Sequence, residues 1–150
     1  MLESTGPRVV LALVVLAIAT AVGLLLRARD GRRRAVGSGG PRLGDVLGPD
    51  AARGRAGGAG VTVVQISAAV CSPCRATARL WQRVAGPEHH VEIDVEHRPE
   101  VAELLSVWRT PASFVFDPDG ILVARINGTP DLTRATAVLR EADQRSGASA

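Results

Sequence analysis

A β-branched strand that runs almost directly into a pair of cysteines leaves this chain few folds to choose from. Val61-Thr62-Val63-Val64-Gln65-Ile66 reads as a buried strand. Cys71-Ser72-Pro73-Cys74 follows it, on the opening turn of a helix expected over residues 72–85. Ala78, Trp81 and Val84 share one side of that helix. Pro73 lies in the first turn, where proline costs no helical hydrogen bond, and Gly86-Pro87 stops the helix. A thiolate at a helix N-terminus is stabilised by unpaired amides and the helix dipole, which lowers its pKa from about 8.5 toward neutral. Cys71 holds that position, Cys74 lies one turn on along the same face, and Arg75 adds a nearby positive charge.

The remaining pattern places the strand and helix in a larger unit. Val91, Ile93 and Val95 alternate with Glu92 and Asp94, as in a half-buried strand. Pro99 opens a short helix carrying Val101, Leu104 and Leu105. Ser113-Phe114-Val115-Phe116 is a strand, Asp117-Pro118-Asp119-Gly120 a turn, and residues 121–126 the returning strand of a hairpin. Thr129 is the expected cap of a last helix, with Pro130 in its first position and Leu132, Ala135, Val138 and Leu139 on its apolar face. Early strand–helix–strand order implies parallel pairing, and the hairpin adds an antiparallel pair. The expectation is an α/β unit of about 90 residues, a mixed central sheet flanked by helices. There is no internal repeat.

The N-terminus is of another kind. Val9 to Leu26 is apolar apart from Thr20 and Gly23. As a helix this stretch spans roughly 27 Å, close to the hydrocarbon thickness of a bilayer. It is expected to be a membrane anchor, because the rest of a 150-residue chain is too small to enclose so apolar a helix. Ala17-Ile18-Ala19 and Ala19-Thr20-Ala21 have the form of a signal-peptide cleavage site, but the charge asymmetry is the reverse of a signal peptide's. Only Arg8 precedes the run, whereas residues 27–34 carry five Arg against one Asp. Arg-rich flanks stay cytoplasmic, so the C-terminal part is expected inside the cell, on a single-pass anchor, with the Arg cluster against anionic headgroups. Residues 27–60 read as a basic juxtamembrane segment and flexible linker, since residues 35–60 hold nine of the sixteen Gly plus Pro41 and Pro49. Within it, Leu43 to Leu47 fits either a short edge strand or a helical turn packed on the domain.

The formal charge of +3 and pI near 10 would suggest nucleic acid. The basicity is confined to the patch after the apolar run, however, and residues 61–150 carry nine Arg against eleven acids. No nucleic-acid partner is therefore expected. All basic residues are Arg, and Ala and Gly abound, as in a GC-rich, bacterial coding sequence.

Three chemistries suit the cysteine pair: two core cysteines, half of a metal site, or a redox couple. One Cys-x-x-Cys supplies two ligands where structural zinc takes four. His89, His90 and His97 are scattered and read as surface residues, so neither a metal nor a cofactor is called for. A Cys-x-x-Cys on a helix start after a strand, in a strand–helix–strand setting, is the redox pattern.

At this point the chain resembles the thioredoxin family, over about residues 61–146. The resemblance rests on Cys71-Ser72-Pro73-Cys74-Arg75, on Val107-Trp108-Arg109-Thr110-Pro111 before a strand, and on Gly128 after the last strand. It implies a thioredoxin fold and a cis bond before Pro111, facing the disulfide. It also implies that the Thr110 backbone pairs with an extended substrate segment. The departures are specific. Val70 stands where the family usually has Trp, Ser-Pro where it has Gly-Pro, and Gln65 where it has a buried Asp that moves protons at the resolving cysteine. Glu92 or a neighbour stands in place of the Lys that partners that Asp, and the family's first strand and helix are cut down.

The expected function is that of a membrane-tethered thiol–disulfide oxidoreductase acting on protein thiols and disulfides. Cys71 is the nucleophile, Cys74 the resolving cysteine, and Thr110 and Pro111 bind substrate. The rival is a tethered redox sensor or metal-binding adaptor that uses the same pair without turnover.

Overall fold

The computed structural model describes residues 5–30, 34–35, 40–55 and 60–147. They fall into two units divided between Arg32 and Arg33. The first is a helix, α1 (Thr5–Asp30). Its side chains are described over residues 9–24, where the large aliphatic ones are open, from 48% exposed at Val14 to 65% at Leu11. Among the described residues, no helix is long and apolar enough to cross a membrane. The expected span thus gains no support there. Its last two side chains, at Leu25 and Leu26, and those of the Arg27–Arg34 cluster lie outside the described set.

The second unit is built on a five-stranded sheet. Its strands are β1 (Arg34–Ala35), β2 (Thr62–Ser67), β3 (His90–Asp94), β4 (Ala112–Phe116) and β5 (Leu122–Asn127), in spatial order β1-β5-β4-β2-β3. β2 and β3 pair in parallel, with Gln65 opposite Glu92; the other pairs are antiparallel. The mixed sheet expected from the element order is therefore present. β2 is buried at all six positions, as expected of the β-branched run, and its polar members Thr62, Gln65 and Ser67 are buried with the rest.

Side chains alternate across the sheet and split the core in two. One face buries Val63, Val115, Val123 and Ile126 under α4 (Ser72–Val84) and α6 (Leu132–Gly147), through Trp81, Ala135 and Val138. Trp81 is fully buried and its indole Nε1 donates to Ser113 Oγ at 2.8 Å. The other face buries Val64, Ile66, Phe114 and Phe116 beneath α5 (Pro99–Leu104) and two further short helices.

Of those two helices, α2 (Leu43–Leu47) is the helical turn packed on the domain, one of the two readings of that stretch, and α3 (Pro49–Arg53) stands where linker was expected. Leu43 is 1% exposed and Val46 fully buried, both in the core with Phe114 and Phe116. The Leu43 amide donates to the Gly120 carbonyl at 2.9 Å, which docks α2 on the β4–β5 turn. Gly120 has φ +72, which strains any other residue, and a Cβ there would also crowd Leu43 Cβ at 3.3 Å. Asp117 closes the same turn, its Oδ1 accepting from the amides of Asp119 and Ile121. The folded body thus begins well before residue 61. The glycine content pointed to linker, and Leu43 and Val46 are the two apolar side chains that hold the short helix on the sheet face.

The α6 start differs from expectation too. Asp131 caps it, its Oδ1 accepting from the Arg134 amide at 2.7 Å. Thr129 instead accepts at 3.0 Å from the Thr77 hydroxyl on α4. Leu132 and Leu104, both assigned to apolar helix faces, are 56% and 45% exposed.

Candidate active site

Cys71 lies at the junction of sheet and helix. Three residues, Ala68–Val70, separate it from the end of β2, and it forms the N-cap of α4. Its backbone is extended, and its Sγ accepts from the Cys74 amide at 3.1 Å. Pro73 falls in the first turn and removes an amide that would have no helical partner. Cys71 and Cys74 are joined in a disulfide with a Cα–Cα distance of 5.2 Å. In the dithiol state the same amide and the helix N-terminus favour a thiolate on Cys71.

The two sulfurs are not equivalent. Cys71 is 9% exposed and Cys74 1%. Cys71 also lines a cavity of about 320 Å³ with Ser67, Ala68, Ala69, Arg75, Glu92 and Asp94. Val70, the residue before Cys71, is 98% exposed, and Trp108, two residues before Thr110, is 91% exposed.

The segment before β4 comes to the same place. Thr110 Oγ1 is 3.9 Å from Cys71 Sγ, and the Thr110–Pro111 peptide bond is cis. The Pro111 carbonyl accepts from the Gly128 amide at 2.8 Å, and Gly128 has φ +77. The structure therefore brings Cys71, Cys74, Thr110 and Pro111 together, although they are up to 40 positions apart in sequence.

Behind the disulfide is a polar cluster. Gln65, fully buried on β2, donates through Nε2 to the Cys74 carbonyl at 3.0 Å and lies 3.4 Å from Glu92 Oε1. Its Oε1 lies 3.2 Å from His90 Nε2. His90 is 8% exposed, a correction to its reading as a surface residue. Burial pushes its pKa below the ordinary histidine value, with the Glu92 carboxylate pulling the other way. Gln65 was legible as the polar residue in a β-branched run, but its partners were not, because they depend on the β2–β3 register. Among the described residues, no group of three or more His, Cys, Asp or Glu is gathered to hold a metal ion.

No family model matches the chain. The thioredoxin Asp f 29 of Aspergillus fumigatus is 37% identical over 76 residues, covering 47% of this chain and 68% of that protein. Chloroplastic thioredoxin z is similar in structure, with a TM-score of 0.53 and 20% identity over 74% of this chain and 99% of that one. A mutant thioredoxin of Halobacterium salinarum NRC-1 gives 0.50 and 21% over 55% and 74%. At such identities the two structures speak for the fold alone.

Proposed function

Since the chain belongs to the thioredoxin family and is a thiol–disulfide oxidoreductase, we propose that it is a membrane-tethered reductase of protein disulfides in which Cys71 attacks and Cys74 resolves. In the dithiol form the Cys71 thiolate attacks one sulfur of a substrate disulfide. A Cys71–substrate bond forms, the substrate S–S bond breaks, and the other substrate sulfur leaves as a thiolate that takes a proton from water. The Cys74 thiol then loses its proton to solvent and attacks Cys71 Sγ. The Cys71–Cys74 bond closes and the second substrate sulfur departs. Two electrons pass from the cysteine pair to the substrate, and an external dithiol restores them.

The observation that carries this assignment is the position of Cys71 Sγ, capping α4 and bordering the cavity while Cys74 is closed off. Thr110 and Pro111 dock the substrate; the closeness of Thr110 Oγ1 to Cys71 supports that role. The apolar run from Val9 to Leu26 and the five Arg after it support a single-pass anchor with the redox domain on the cytoplasmic side. The open aliphatic side chains of α1 are consistent with a lipid environment. In that compartment the pair is kept reduced and works as a reductase.

Cysteine replacement tests the roles. Cys74→Ser should accumulate mixed disulfides with protein substrates and Cys71→Ser none; equal trapping by both removes the assignment. Steady reduction of insulin with dithiothreitol distinguishes a catalyst from a sensor, which does not turn over. Location is tested on intact cells with a membrane-impermeant thiol reagent after reduction by a permeant one. Labelling of Cys71 without lysis places the domain outside.

A further inference from the structure

The proposed docking segment, residues 107–111, is tied at both ends to one strand and the residue that follows it. The Pro111 end is held by the Gly128 amide. At the other end, Arg125 reaches from the middle of β5 to the two residues that follow α5. Its Nη1 donates to the Leu105 carbonyl at 2.9 Å and its Nη2 to the Ser106 carbonyl at 2.8 Å. Its Nε donates to Asn127 Oδ1 at 3.0 Å, and the guanidinium lies over the buried Phe114 ring, 5.2 Å from the centroid.

We propose that Arg125 is a positioning residue for substrate docking, clamping the carbonyls of Leu105 and Ser106 so that residues 107–111 are held in their binding conformation before substrate arrives. The proposal rests on the reading that Thr110 and Pro111 dock the substrate. Ser106 has φ +51, a left-handed conformation uncommon for a residue other than glycine. The surroundings must hold it there. The amides of Ser106 and Val107 bond back to Glu103 and Ala102, closing the helix end. The carbonyls of Leu105 and Ser106 point the other way, and carbonyls at a helix end have no partner within the helix. A planar guanidinium presents two parallel donors, suited to two neighbouring carbonyls, and a helix C-terminus favours a cation. Beyond Val107, which packs partly on the core, Trp108 and Arg109 are exposed. Because Arg125 is itself fixed by the sheet, by Asn127 and by the Phe114 ring, it transmits the rigidity of β5 to the loop. The bonds of Arg125 to Leu105 and Ser106 act on the loop, so its effect is on docking and not on sulfur chemistry.

The test uses the full chain in mild detergent, with Arg125→Leu, Arg125→Lys and Pro111→Ala. If the clamp keeps the loop competent, and without it the loop is competent about a tenth of the time, KM for insulin rises about tenfold in Arg125→Leu. The turnover number should stay within about twofold of wild type, because only the free enzyme's loop population has changed. Arg125→Lys keeps the charge but reaches one carbonyl, so its KM should fall between the two; it carries the test if the leucine variant does not fold. The pH profile of Cys71 alkylation by iodoacetamide, a small reagent that needs no docking, should match wild type in both. An unmoved insulin KM in either folded variant overturns the proposal. So does a parallel loss of alkylation rate, or a lysine variant equal to wild type. Pro111→Ala separates the two levels of the argument. If it leaves KM for insulin unchanged, the docking reading fails and the clamp with it. If it raises KM while Arg125→Leu does not, the clamp alone fails.

Discussion

Replacing Gln65 with leucine probes the polar cluster behind the disulfide. Leucine is close to glutamine in size and fills the same fully buried site, so little cavity is left. Three contacts disappear. The Cys74 carbonyl, inside α4, keeps its helical partner and loses only its second bond. Glu92, exposed on β3, turns to water. His90 Nε2 has no such recourse, since the residue is 8% exposed. An unsatisfied buried donor costs about 1–3 kcal/mol and each lost neutral bond about 0.5–1.5 kcal/mol. The apolar side chain returns about 1 kcal/mol. The net loss should be about 2 kcal/mol. With a urea m-value of about 2 kcal/mol/M, the unfolding midpoint of the oxidised protein should fall by about 1 M. The decisive assay is a double-mutant cycle. Removing both partners of a buried bond is far cheaper than removing one, so Gln65→Leu/His90→Leu should be more stable than the two single losses added together predict. An unchanged midpoint in Gln65→Leu, or strict additivity in the cycle, refutes the assignment of this cluster as a coupled, satisfied network.

His90 also sets a pH dependence. Its folded pKa lies below the unfolded value, so the unfolded chain binds the proton first as pH falls. Stability should therefore decline as pH drops below about 6.5 and level off once the folded imidazole also protonates. In His90→Leu this decline should be shallower, as read by urea midpoints at pH 7.5 and pH 5; an identical slope counts against the buried histidine. Leu43→Ala should destabilise the second unit by about 3 kcal/mol, because Leu43 is a fully packed core residue on α2. A change under about 0.5 kcal/mol in the same denaturation assay would mean that residues 40–55 are a linker after all. Trp81→Phe should cost about 1–2 kcal/mol, from the lost indole bond to Ser113 and the smaller ring. Urea midpoints at pH 7.5 should show that loss, and an unchanged midpoint would mean that the indole bond to Ser113 contributes nothing.

The family relation gives the sequence departures a physical setting. Gln65 occupies a buried place beside Cys74 without carrying charge, and it spends its donors on the Cys74 carbonyl and Glu92. The ionisable groups of this cluster are instead on β3, as His90 and Glu92. Val70 leaves the position before Cys71 without an aromatic ring, and the exposed aromatic residue Trp108 belongs to the proposed docking segment.

Local chemistry determined much of this protein in advance. A β-branched run makes a strand wherever it lies. A cysteine before Ser-Pro-Cys caps a helix because an extended residue followed by proline starts one, and Asp-Pro-Asp-Gly turns a hairpin through the φ that glycine tolerates. These rules act over a few residues, so the succession of elements from residue 61 onward and the placement of both cysteines were readable without coordinates, while the role of Thr110–Pro111 came from the family resemblance. What required tertiary structure were pairings between residues far apart along the chain. Gln65 meets His90 and Glu92 because β2 and β3 align in parallel at one register, and a shift of one residue would turn those side chains to the opposite face. Leu43 is core because the sheet leaves an apolar face near the β4–β5 turn that a short helix can cover. Thr129 turns to Thr77 and leaves the cap to Asp131, because the packing of α6 against α4 decides which oxygen faces the free amides. Arg125 reads as one more strand arginine until the sheet carries it beneath the end of α5. Local energies select the elements, but the register that joins them is set by burial summed over the whole core, and that sum is formed only when the chain is folded.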